Sequence, residues 1–227
     1  LKNTGSQVSD MGAGFWSPVI VSLQVVSVAS VIAFLLAMLA SWFMTRKSFK
    51  GKVVVETILM LPLVLPPTVI GFGLLVLLGR QSWIGRAFEW LFSQPLVFSY
   101  WAAVTAAVVV AFPLVYQMLQ NGFEGVDREL EQAARQMGAK EYQLFWYVTL
   151  PLAWRAVVTG FMLGFARGLG EFGATLMFAG NIPGRTQTMS TAIFVAVESG
   201  HMMLAYYWVG SIMVFSFFLL LCVQRLK

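Results

Sequence analysis

A chain of 227 residues that is 59% hydrophobic and only 11% charged, with a mean hydropathy of +0.77, is too apolar for a water-soluble domain, in which about a quarter of the residues carry charge. Several apolar runs exceed 18 residues and read as membrane-crossing helices, whereas the alternating segments of a transmembrane β-barrel do not occur. The single cysteine (Cys222) and single histidine (His201) exclude an intrachain disulfide, a CxxC site and a histidine-cluster zinc site, and the net charge of +5 reads as orientation charge rather than as a nucleic-acid footprint.

Residues 1–14 are polar and Gly/Ser-rich, and 1–16 are expected to form a short mobile tail on the outer side, with no signal-peptide pattern. The remainder, 17–227, reads as a single transmembrane domain. Its first apolar run, 18–44, offers about 40 Å of helix against a core of about 30 Å, so it tilts or protrudes. The second, 53–78, contains Pro62, Pro66 and Pro67 in "LPLVLPPTVIGFGLLVLLGR". Proline removes donors and kinks a helix, so two readings stand side by side: a broken helix near a pathway, or a static kink that helps the spans pack. Runs 96–119, 152–179 and 203–223 complete five spans. The 12 residues of 188–199 are too short to cross and suit a re-entrant or interfacial segment. Lipid offers no partner for the backbone, so the expected class is an all-α polytopic membrane protein.

Charge placement supports this count. With the N-terminus outside, Arg46, Lys47, Lys50, Lys52, Arg128, Arg135, Lys140, Arg155, Arg225 and Lys227 fall inside; Lys2, Arg80, Arg86 and Arg185 fall outside. Ten against four favours five spans, N-out and C-in; a sixth span at 188–199 would expel Arg225 and Lys227. Arg167 lies within the fourth span with Glu171 four residues on. Intramembrane charges face an interior or water, so the pair is either a lining or gate element for an anion or, the favoured reading for Glu171, a mutually neutralising pair that orients the span.

Between the third and fourth runs stands a polar elbow. Asp127 is placed to cap a helix whose first turn carries Glu129 and Glu131; Leu130, Ala133, Ala134 and Met137 share one face, and Gly138 is a C-terminal signal. A second short helix is expected over 140–149, stopped by Leu150-Pro151. The apolar stripe is small in volume. It fits docking into a groove of a soluble partner, or an interfacial helix lying on lipid headgroups.

"EQAARQMGAKEYQLFWYVTLP" (131–151) resembles the signature loop of ABC importer permeases: Gln132, Ala133, Ala134, Gly138, Val148, Leu150 and Pro151 fill its places, with Glu131 just before the position where Glu is usual. The resemblance implies a type I, MetI-like permease fold with a coupling loop at 121–151 that docks a cytoplasmic ATP-binding subunit. Either Glu131 or Gln132 would meet that partner. No G-x-x-x-x-G-K-[ST] occurs, so ATP and Mg would be bound by the partner, with no cofactor and no metal in this chain. The chain would be a permease subunit and not itself an enzyme.

The proline-rich second run, "FARGLGEFGATLMFAGNIPGRTQT" and the loop together resemble permeases of the molybdate/tungstate and sulfate oxyanion importers, and "NIPGRTQT" resembles the molybdate branch. This resemblance implies a homodimer in a bacterial or archaeal plasma membrane with two ATP-binding subunits inside and an extracytoplasmic oxyanion-binding protein outside. The expected function is ATP-driven import of an oxyanion, molybdate first and sulfate, thiosulfate or tungstate as alternatives. An ion-coupled secondary transporter would show inverted repeats or several mid-span ionisable groups, and neither is found. The chain ends shortly after the fifth run, so no added cytoplasmic domain is expected.

Overall fold

The computed structural model describes the backbone of residues 4–225 and the side chains of residues 14–225. Among these residues the chain is helical throughout: α1 (Thr4–Arg46), α2 (Lys52–Val64), α3 (Pro67–Leu78), α4 (Trp83–Phe92), α5 (Tyr100–Glu124), α6 (Arg128–Gln136), α7 (Glu141–Leu144), a π turn (Phe145–Thr149), α8 (Leu150–Leu152), α9 (Trp154–Leu169), α10 (Gly173–Ala179), α11 (Met189–Glu198) and α12 (Met202–Arg225). Three are long and apolar enough to cross a membrane unaided: α1 from Gly14, α5 and α12. Two bent pairs bring the number to five if each is one span: α2 with α3, bent by 117°, and the α7–α8 arm with α9, bent by 77°. α1 begins at Thr4, so most of the polar stretch set apart as a tail has helical backbone.

The interior is organised around α5, which packs along α1 and α9. The sequence explains the closeness. α1 presents the fully buried Ala29, Ala33 and Ala37, four apart, and α5 presents Ala102, Ala103, Ala106, Ala107 and Ala111. α9 contributes Gly160, Gly164 and Gly168, also four apart and all buried. A Cβ on Gly164 would collide with Val115, and one on Gly160 would lie 3.2 Å from the Met118 Cβ. Helices in lipid gain nothing from hiding apolar surface from water, so they are held by van der Waals contact, which small residues maximise by letting backbones approach. Gly168 turns to Val26 of α1. Gly170 is exposed at the end of α9, and Gly173 packs on Pro67 and Thr68 of α3.

α3 and α10 cross at a similarly close point, where a Cβ on Gly71 would come within 2.7 Å of the Met177 Cβ and 2.9 Å of the Ala174 Cα. α11, the segment expected to be too short to span, packs against α12 and α1; the Met189 N–H donates to Ser22 Oγ at 2.7 Å, and Trp208 Nε1 donates to the Phe15 carbonyl at 3.0 Å. The apolar faces of α2 and α12 are left largely exposed, as expected of helices that meet lipid or a second chain.

Three elements depart from the sequence expectations. The fourth run is not one helix: α9 ends at Leu169, and residues 170–172 turn the chain into α10, because the Glu171 carboxylate takes over capping of the new helix. Leu150-Pro151 does not stop the second elbow helix. The π turn widens the helix just before Pro151, with the Leu150 N–H reaching the Phe145 carbonyl; this accommodates the missing donor and the ring, and the bend falls at Ala153 instead. The third is α4, capped by Ser82 accepting from the Gly85 N–H at 2.9 Å. It is too short to register as a span, although Ser82 followed by "WIGRAFEWLF" carries a helix-start signal.

Candidate functional site

The elbow, residues 127–152, comprises α6, α7, the π turn and α8 and meets α9 at the 77° bend. α6 forms as its sequence dictates. Asp127 Oδ1 accepts from the Glu129 N–H at 2.8 Å, satisfying one of the free donors of the first turn. At the other end Gly138 sits at φ 86°, the Gly138 N–H reaches the Arg135 carbonyl at 3.0 Å and the Ala139 N–H reaches the Ala134 carbonyl at 3.1 Å. These paired bonds close the last turn and require a residue that tolerates the left-handed conformation.

No residue of α6 is buried within the chain. Along its expected apolar stripe Met137 is 89% and Leu130 49% exposed, and Ala133 is exposed as well. Gln132 also points to solvent. Glu131 does the opposite. It is turned inward, and its Oε1 accepts from Arg46 Nη2 at 2.8 Å and from Thr149 Oγ1 at 2.9 Å. The two acidic or amide side chains left open by the sequence are thereby separated: Glu131 ties the elbow to its own chain and Gln132 faces outward beside Ala133.

Arg46 is the centre of this arrangement. Its Nη1 donates to Glu141 Oε2 at 2.7 Å, and its Nη2 also donates to Thr149 Oγ1 at 3.0 Å. Arg135 closes the set, with Nε 2.9 Å from Glu141 Oε1 and Nη2 3.8 Å from Glu131 Oε2. Two guanidiniums face two carboxylates, so the cluster is neutral and can sit half-buried in a cleft of about 960 Å³ between the end of α1, the end of α5 and the elbow. The hydrogen bond from Arg135 holds the Glu141 carboxyl below its ordinary value, with both guanidiniums adding attraction; the same bond raises Arg135. Nothing local in the sequence marks Arg46 for this part: its three partners lie 85, 95 and 103 residues away.

Leu150 and Pro151 follow the π turn and hand the chain to α9. Pro62 lies inside α2 without breaking it, whereas Pro66 caps α3 and Pro67 occupies its first position, so the break in the second run belongs to the Pro66-Pro67 pair. Arg167 Nη1 stands 3.2 Å from Glu171 Oε2, and Glu171 Oε1 accepts from the Ala174 N–H at 2.8 Å. Glu171 is 2% exposed. Its carboxylate is fully engaged in pairing and in starting α10, an arrangement that orients the chain at the 170–172 break.

Residues 29–225 match the family described as binding-protein-dependent transport system inner membrane component. The chain is 52% identical over 213 residues, covering 94% of each chain, to the putative molybdenum transport system permease protein YvgM of Bacillus subtilis. It is 43% identical over 185 residues, 81% of this chain and 80% of the relative, to the molybdenum transport system permease protein ModB of Escherichia coli. In fold it is similar to a chain of the inward-facing MetNI methionine ABC transporter, with a TM-score of 0.65 at 16% identity over 93% of this chain and 92% of that one. The MetI-like permease fold implied by the elbow motif is thus the fold observed. The chain belongs to the family of inner membrane components of binding-protein-dependent transport systems.

Proposed function

We propose that this chain is the transmembrane permease subunit of an ATP-driven importer for molybdate, working as a homodimer with two ATP-binding subunits at the elbow and an oxyanion-binding protein on the opposite side. The observation that carries the reading is the elbow itself: a short, well-capped helix whose small-residue stripe is left uncovered by its own chain. Its apolar atoms suit a protein groove, in which Ala133 and Ala134 allow close approach. The choice of molybdate is supported by the relatives at 52% and 43% identity, whose names refer to molybdenum transport.

In this reading the N-terminus is outside and the elbow inside, each bent pair counts as one span, and ATP and Mg belong to the docked subunit. ATP binding closes that subunit and draws the two elbows together, and the spans follow as rigid groups, alternating access from one side to the other. Selectivity resides mainly in the binding protein. Within the spans Arg167 is already committed to Glu171, which fits a low-affinity conduit that releases its cargo readily.

The test is co-purification followed by reconstitution. The permease should bring down an ATP-binding subunit at two copies to two, and vesicles holding the complete complex should accumulate molybdate only with ATP. Accumulation against a gradient by vesicles holding this chain alone would overturn the proposal, and preferential accumulation of sulfate would reassign the cargo.

A further inference from the structure

We propose that Arg46 is a positioning residue that couples the elbow directly to α1, so that movement of α6 is transmitted through its guanidinium into the span bundle. The inference rests on the reading of α6 as the docking helix and adds the route by which its displacement leaves the elbow.

Two routes lead from α6 into the bundle. One follows the chain through α7, the π turn and α8 into α9, across a 77° bend at Ala153. A bend of that angle turns the direction of any movement passed along the chain. The other is direct. Arg46 ends α1, and α1 packs along both α5 and α9. Its guanidinium reaches α6 at Glu131, α7 at Glu141 and the π turn at Thr149, with distances of 2.8, 2.7 and 3.0 Å. One rigid, planar group therefore joins α6, α7 and the π turn to the first span.

The local chemistry is built to hold that group still. Trp42, one turn earlier on α1, has its ring 5.8 Å from the Arg46 Cζ and packs on Phe145 of the π turn with ring centroids 5.4 Å apart. The π turn places Thr149, 1% exposed, so that its hydroxyl accepts from Arg46 while donating to Glu131. α6 has no buried residue of its own. Its orientation against α1 is consequently set by these polar bonds and not by an apolar contact. Lysine, a compact point charge, could not serve three acceptors in one plane.

The experiment uses the complete complex with its binding protein in vesicles and reads molybdate transported per ATP hydrolysed, together with co-purification of the ATP-binding subunit. Arg46→Gln should still bring down that subunit but lower the transport-to-hydrolysis ratio on the order of tenfold, the scale of a typical coupling free energy. Arg46→Lys should recover part of the loss. Thr149→Val, which keeps every charge, should lower the ratio severalfold and decides the matter if Arg46→Gln does not fold. Arg80→Gln, which breaks the exposed Arg80–Glu89 pair beside α4, should leave the ratio at the wild-type value. A wild-type ratio in both Arg46→Gln and Thr149→Val would overturn the coupling role. So would loss of the ATP-binding subunit from a folded Arg46→Gln protein, because Arg46 would then shape the docking face. Failure of the wild-type chain to bring down that subunit would instead sink the docking reading itself.

Discussion

Between α1, α5 and α9 the contact surface is rich in buried alanine and glycine, with helix backbones drawn together until a single Cβ added at Gly164 would collide. At the elbow α6 buries nothing and is held by two arginines, two glutamates and a threonine. The difference teaches how such a chain divides its labour. Close packing of small residues is stiff and shape-specific and fails abruptly when overfilled. Polar bonds at a wetted surface are individually weak, fix direction, and can be re-made as parts move. The bundle is suited to move as a body, and the elbow to grip a partner and pass on its position.

Four experiments would break or sharpen that comparison. The largest effect is expected from Gly164→Leu. The Cβ alone meets Val115, so the substitution should cost about 3 kcal/mol or more, read as a loss of monodisperse protein or a sharp fall in Tm; a wild-type Tm would show that α5 and α9 are not in close contact.

Next is Gly138→Trp. At φ 86°, with open space around a built Cβ, the position is strained by roughly 1–2 kcal/mol for most residues but is not crowded within the chain. The bulky ring should therefore spare the fold and abolish transport-coupled ATP hydrolysis by obstructing docking, whereas Gly138→Asn, which tolerates the left-handed conformation, should keep most of it. Wild-type coupling in the Trp variant would remove α6 from the docking surface.

Arg167→Ala should cost about 2 kcal/mol. Leaving Glu171 buried with one amide partner is unfavourable, but Arg167 is itself a third exposed, so the penalty falls below the roughly 3–5 kcal/mol of a fully buried pair. Thermal unfolding in detergent would show it, and Arg167→Ala combined with Glu171→Gln should recover part of the loss. Unchanged stability in the single variant would mean that the pair does not hold the break at 170–172.

The smallest effect concerns pH. The folded Glu141 carboxyl is held below its usual value by Arg135, so its contribution is fully present above the ordinary carboxylate range and is lost only as pH falls through the lowered folded value. Hydrogen exchange of the α6 amides should accordingly be steady between neutrality and mild acid, once corrected for intrinsic rates, and rise below the ordinary carboxylate range. Glu141→Gln should raise exchange already at neutral pH. Because Glu141 is half exposed, the change is modest and shrinks in salt.

The sequence by itself determined the helical membrane class, the elbow with its Asp127 cap and Gly138 terminator, and a proline-marked distortion of the second run, which the structure places at Pro66-Pro67. Each rests on short-range physics: hydropathy over a span length, a side-chain oxygen near free amides, a residue without an N–H. It also carried the family, because the spacing from Gln132 to Pro151 is a local pattern. Only the tertiary structure decided that Arg46 gathers Glu131, Glu141 and Thr149, that Glu171 ends one helix and starts another, that the chain continues as helix past Leu150-Pro151, and which glycines meet which neighbour. These depend on groups distant along the chain and on which of several equally apolar faces is turned inward. Hydropathy leaves that choice open, and only close packing between helices settles it.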